Sequence, residues 1–212
     1  MANIFRTAAG LLSCFALALQ YGLVMVGDIG PSAIPRTVNF FSYFTILTNL
    51  LAAVALTLPV LAPQTALARF LDRPSVRTAI AAYIVIVMAI VFFVLRHLTT
   101  FQGWDLVADL ILHYVVPMLF VIDWLILVPK ESLKMKDTLA WLAFPLLYLI
   151  WTFIHGVYSG FYPYPFLNGS ELGNARVLLN EAGLLAIFLI LGLLLVTGGR
   201  QIDRAKTARS SN

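Results

Sequence analysis

The chain has 212 residues, 61% hydrophobic and only 11% charged, with a mean hydropathy of +0.92. These values exclude a soluble domain with a polar coat and point to an integral membrane protein, expected to be a multi-pass protein of the plasma membrane with the bilayer as its main partner. The formal net charge of +4 calls for no nucleic-acid partner, because topology alone gathers basic residues at one membrane face.

Six apolar stretches follow in chain order, at residues 8–27, 39–62, 77–97, 105–128, 138–158 and 178–197. Each is about as long as the roughly 20 residues that cross a bilayer as a helix. They predict an all-α protein with a single six-helix membrane domain over residues 1–200 and a basic tail over 201–212. The first stretch is too long, and too polar at Gln20, for a signal-peptide core, and no small-residue cleavage motif follows it. It carries Cys14, the only cysteine, so neither an internal disulfide nor a cysteine-built metal cage is expected. The closing segment TGGRQIDRAKTARSSN reads as a helix end followed by a disordered basic tail. The last three stretches do not repeat the first three, which argues against an inverted-repeat transporter.

Lysine and arginine set the orientation. Arg6, Arg69, Arg73, Arg77, Lys130, Lys134, Lys136, Arg200, Arg204, Lys206 and Arg209 fall on one side, and only Arg36, Arg96 and Arg176 on the other. Basic residues translocate poorly, so both termini are expected in the cytoplasm, with segments 28–38, 98–104 and 159–177 external.

Polar groups inside the spans are costly and need a partner or a task. In the second stretch, Ser42, Thr45 and Asn49 fall within about 60° at 100° per residue, with Thr48 on the flank. Asp105, Asp109 and His113 recur every four residues in the fourth and stack on one face. Tyr148, Trp151, Thr152 and His155 align in the same way in the fifth. At about 1.5 Å per residue, Thr45, His113 and His155 lie roughly 9, 12 and 8 Å below the external surface. The match in depth predicts a polar chamber in the outer half of the membrane. Pro117 cannot bond the carbonyl of His113, so the helix opens beside that histidine. Each piece also has a plain reading: serine and threonine often serve as interhelical glue, and single histidines as packing residues. His97 beside Arg96 reads as interfacial, Asp123-Trp124 as a helix-border anchor, and Trp104, Tyr162 and Tyr164 as an external aromatic belt.

YFTILTN in the second stretch, HYVVPMLFVIDW in the fourth and GFYPYPFLN after the fifth resemble the androgen-induced protein family of six-helix membrane proteins, especially its bacterial branch. The resemblance spans nearly the whole chain in the same order. Animal members of that family are threonine hydrolases of fatty acid esters of hydroxy fatty acids that use one intramembrane Thr and one intramembrane His. The resemblance therefore implies a fatty ester substrate, no cofactor and no metal, with Thr45 as nucleophile and His113 as general base. Thr48 rivals Thr45, because the spacing after the threonine departs from the animal pattern by one residue. A neutral imidazole supplies the base that a hydroxyl nucleophile needs. Asn49, one turn from Thr45, is the expected oxyanion donor or supporting group, and Asp109 is placed to orient His113 or to sit at headgroup level. Tyr148 and His155 would shape the chamber, with Asn180 and Glu181 as further candidates. Two other classes stay open: a haem protein ligated by His113 and His155, and a non-catalytic membrane carrier.

Overall fold

The computed structural model describes residues 1–27, 32–98 and 100–210, with side chains described to residue 208. Parts of the predicted 28–38 and 98–104 connections, and the last two residues of the predicted tail, lie outside the described residues. Within them every regular element is helical. α1 (Ala2–Val26) is followed by α2 (Ala33–Phe41), α3 (Phe44–Leu61) and the short α4 (Ala66–Leu71). α5 (Pro74–Ile90) ends in a π-helical turn, Val91–Leu95. α6 (Gly103–Leu110), a second π turn (Ile111–Val115) and α7 (Val116–Leu127) form one rod. α8 (Asp137–Trp141) leads into α9 (Ala143–Ser159), and α10 (Gly169–Leu172) precedes α11 (Asn174–Ser210). Six of these units are long and apolar enough to cross a membrane. Their bounds meet the six predicted stretches to within a few residues at most ends.

The second stretch departs from its expected form. Residues 39–41 belong to α2, Ser42 ends that helix, and Tyr43 is extended at φ −82°, ψ 127° before α3 begins. Aromatic packing holds the break open: the Tyr43 ring meets Phe161 and Tyr164 edge-on at centroid distances of 5.8 and 5.9 Å. Ser42 therefore does not share a continuous helical stripe with Thr45 and Asn49.

α1 and α3 pack through small residues. A Cβ on Gly10 would lie 2.3 Å from the Thr57 methyl group, and Ala9, Ala16, Ala52, Ala53 and Ala55 are buried beside it. Without a hydrophobic drive between helices in lipid, such close backbone approach supplies the attraction by dispersion. Ser13 adds an interhelical bond to the Asn49 carbonyl at 3.1 Å.

Charge is buried at the end of the bundle where α1 starts, α4 lies and α7 ends. Asp123 is fully buried and accepts from Arg77 Nη1 and Arg6 Nε, each at 2.7 Å. Arg77 also donates to Asp72 at 2.9 Å and to the Ala55 carbonyl at 2.9 Å. Asp123 is thus the centre of an ion-pair network rather than a border anchor, and its neighbour Trp124 donates to Thr78 Oγ1 at 2.9 Å.

The expected disordered tail is corrected to helix as far as Ser210. Gly198 and Gly199 read as a stop because glycine weakens helices, but Gly199 is there for space: a Cβ would lie 2.9 Å from Lys130 Cδ and 3.3 Å from the Trp124 ring. Beyond it, Asp203 accepts from the Lys130 N–H, Arg200 donates to the Leu133 carbonyl, and Lys206 donates to the Leu125 carbonyl. These contacts give the final turns tertiary partners that a polar sequence does not advertise. Burial draws the Lys130 ammonium below the usual lysine range, with Asp203 opposing the shift.

The two glycines should respond oppositely. Gly198 has open space at its Cβ position, so Gly198→Ala should stabilise the helix by up to about 1 kcal/mol. Gly199→Ala should destabilise the protein by about 1 kcal/mol or more through overpacking. Unfolding of the two variants in mixed micelles checks the difference in sign.

Candidate functional site

The break at residues 42–43 creates the first element of the site. A helix start leaves N–H groups with no partner inside the helix, and Tyr164 meets one of them. Its phenolic oxygen accepts from the Thr45 N–H at 3.3 Å and lies 3.3 Å from Thr45 Oγ1. Tyr164 comes from the connection between α9 and α11, which folds inward to reach α3. Asn180 holds that connection by donating to the Phe166 carbonyl at 2.8 Å, and Tyr162 fills the space over Gly156, where a Cβ would lie 2.1 Å from its ring. Neither tyrosine is a loose belt residue. Tyr164 is 8% exposed, and burial pushes its hydroxyl up to about 12, opposed by its bonds to Thr45.

Thr45 and Tyr164 stand on the wall of a cavity of about 40 Å³ among α3, α5, α9, α11 and the inward connection. Tyr148 is the third polar wall residue; its buried hydroxyl makes no hydrogen bond of normal geometry, with the Thr152 hydroxyl and the Phe44 N–H beside it. The α5 side, with Val87, Val91 and Leu95, and the α11 side, with Leu184 and Phe188, present only hydrocarbon.

A second cluster lies on the α6–α7 rod. His113 Nδ1 is 2.7 Å from Asp109 Oδ1 and 3.0 Å from the Asp109 carbonyl. The four-residue spacing and the π turn bring the pair together, and Pro117 follows with no N–H to restore regular bonding. With Nδ1–H donating to the carboxylate, the lone pair of the neutral ring sits on Nε2. His113 does not line the cavity.

Asn49 ties the two clusters together and is not an oxyanion donor. Its two amide protons go to the Thr45 carbonyl at 2.9 Å and the Leu112 carbonyl at 3.1 Å. One donor is spent within α3 and the other on joining α3 to the turn beside His113. Thr48 is fully buried with an unpartnered hydroxyl and does not line the cavity.

The remaining predicted residues separate from this centre. His155 Nε2 bonds Asn39 Oδ1 at 2.9 Å, and its ring stacks on Trp151 with centroids 5.4 Å apart. Trp151 in turn donates to Ser42 Oγ at 3.0 Å. This chain clips α9 to α2, away from the cavity wall, so equal depth did not bring His113 and His155 to one chamber. Asn180 braces the connection, and Glu181 is partly buried outside the cavity lining. Sequence reasoning missed the role of Tyr164; the prolines on either side of it, at 163 and 165, are the signal that marks a rigid, extended connection. Among the described residues no group of three or more His, Cys, Asp or Glu is arranged to hold a metal ion.

No family model matches the chain, and no curated protein or solved structure matches it either.

Removing the two kinds of buried polar group should have opposite effects on stability. Thr48→Val deletes a hydroxyl that bonds nothing, so stability should hold or rise by about 1 kcal/mol. Asn49→Leu strands the Leu112 carbonyl, whose side-chain donor it removes, and should cost about 1–3 kcal/mol. Denaturant unfolding of each variant in micelles decides between them.

Proposed function

We infer that the protein is an intramembrane hydrolase of fatty acid esters, with Thr45 as nucleophile and His113 as general base and then acid. The observation that carries this reading is Thr45 on the wall of a largely apolar cavity among the long helices. The position favours Thr45 over Thr48, whose hydroxyl lies off that wall. The Asp109–His113 pair supports the assignment of the base, since it orients an imidazole with Nε2 available. Fatty acid esters of hydroxy fatty acids are the substrates that the family resemblance suggests. The charge asymmetry supports cytoplasmic termini, and the composition supports a multi-pass plasma membrane protein.

In the proposed reaction, the bond from Thr45 Oγ to the acyl carbon forms as the threonine proton passes to His113 Nε2 and the carbonyl π pair moves onto oxygen. Collapse breaks the ester C–O bond, and the alcohol leaves with the proton from His113. Water then attacks the acyl-threonine by the same route and frees the acid. No direct bond joins Thr45 to His113 in the resting protein. Asn49 ties their turns together, and the ester draws the base to the hydroxyl directly or through one water, as catalytic contacts commonly tighten on binding.

Thr45→Ala and His113→Ala should each lower turnover of a long-chain ester by about a hundredfold or more while the protein stays folded. A fluorophosphonate, which mimics the tetrahedral state, should attach to Thr45 and still attach in Thr48→Ala and His155→Ala. Ester turnover retained in both Thr45→Ala and His113→Ala would contradict the assignment. Orientation is tested separately with Asn168→Cys in a Cys14→Ser background, which should react with a membrane-impermeant thiol reagent from outside intact cells. Labelling from the cytoplasmic side alone would reverse the topology.

A further inference from the structure

The second π turn leaves a carbonyl without a backbone donor. In a regular α-helix the Leu112 carbonyl would accept from the N–H of residue 116, but the Val116 N–H bonds the Ile111 carbonyl instead. The π partner, one residue further on, is Pro117, which has no N–H to give. Leu112 is buried, and a buried carbonyl with no donor is costly. Asn49 meets it from α3, donating from Nδ2 at 3.1 Å. The same nitrogen lies 2.9 Å from the Thr45 carbonyl. Two carbonyl neighbours fix which end of the amide is nitrogen, while Oδ1 is buried and makes no hydrogen bond. The amide is thus kept for its protons.

We propose that Asn49 is a positioning residue for His113: its amide stands in for the N–H that Pro117 lacks, holds the π turn, and so fixes the angle at which the rod presents the Asp109–His113 pair. The catalytic consequence rests on the hydrolase reading, in which His113 serves Thr45. A π turn holds one residue more than an α turn, and each residue is worth about 100° around the helix. Were the Val116 N–H to return to the Leu112 carbonyl, α6 would have to turn by about that angle relative to α7. Asp109 lies on α6 with its carboxylate 2.7 Å from His113 Nδ1, so the pair would swing with it. Asn49 opposes this from the helix that carries Thr45, one turn away, and its second proton goes to the Thr45 carbonyl. One side chain therefore registers the turn of the base against the backbone of the nucleophile.

The test compares the full chain in lipid nanodiscs as wild type, Asn49→Leu, Pro117→Ala and Asn49→Leu/Pro117→Ala. Pro117→Ala restores an N–H that can bond the Leu112 carbonyl across the π turn, so it should make the Asn49 amide dispensable. Asn49→Leu should lower the unfolding temperature when Pro117 is present, and by less than half as much in the Pro117→Ala background. The chain has three histidines, so ¹⁵N-histidine labelling resolves the rings, with His113→Gln identifying the signals of His113. Those signals should move in folded Asn49→Leu and return in the double variant, while those of His155 stay in place. With a long-chain ester, kcat should fall by about a hundredfold in Asn49→Leu with KM little changed, and recover in the double variant. An amide that only joins two helices would cost the same stability in both backgrounds and leave the His113 signals unmoved; either result overturns the proposal. If Asn49→Leu does not fold, recovery of folded protein in the double variant sustains the proposal, and loss of both variants overturns it. Coupled stabilities and a moved His113 signal in a protein that hydrolyses no ester would leave the positioning of His113 standing and overturn the hydrolase reading.

Discussion

The buried pair of Arg77 and Asp123 sets the frame for the rest of the molecule. Ions this far from water survive only when every charge and donor is matched, and here the matching partners come from separate elements. Arg6 on α1, Asp72 at the end of α4, Arg77 on α5, the Ala55 carbonyl on α3 and Asp123 on α7 meet at one end of the bundle. Removing one partner of such a pair costs about 3–5 kcal/mol because the other charge is left stranded. The network therefore pins four of the six spans at that end. The opposite end is where a helix break, two π turns and an inward connection are found.

That division suits a site that needs irregular backbone. In hydrocarbon, a broken helix is tolerated only where protein supplies the missing partners. The break before α3 frees the Thr45 N–H, and Tyr164 satisfies it from a different part of the chain. The same irregularity that would be a defect in a lipid-facing helix thus brings a phenol beside a threonine hydroxyl. The second π turn likewise accompanies the Asp109–His113 pair. The polar residues divide by role once their partners are known: Ser13, Ser42, Asn49 and His155 join helices, whereas Thr45, Tyr148 and Tyr164 line the cavity.

The spans were legible because hydrocarbon demands long apolar runs, a signal carried by every residue in each window. The Asp109–His113 contact was legible for a similar reason, since four-residue spacing places both on one helical face. What could not be read depends on residues distant in sequence. Nothing near Ser42 announces that Phe161 and Tyr164 will hold the chain open beside it. Gly199 looks like a helix stop until Lys130, far away in the chain, is seen to occupy the space where its side chain would be. Asn49 looked like a donor to a ligand because its residue type permits that, and only the positions of the Thr45 and Leu112 carbonyls show its protons to be committed.

The central claim is that the Thr45 hydroxyl forms a covalent acyl intermediate at the wall of the hydrocarbon cavity. Acid quenching of the protein during turnover of a long-chain ester, followed by peptide mass spectrometry, measures that species directly. The account predicts the acyl mass on the peptide containing Thr45, with fragmentation placing it on that residue. Steady turnover with an acyl group on another side chain, or with no acylated peptide even when deacylation is slowed at low temperature, would contradict it.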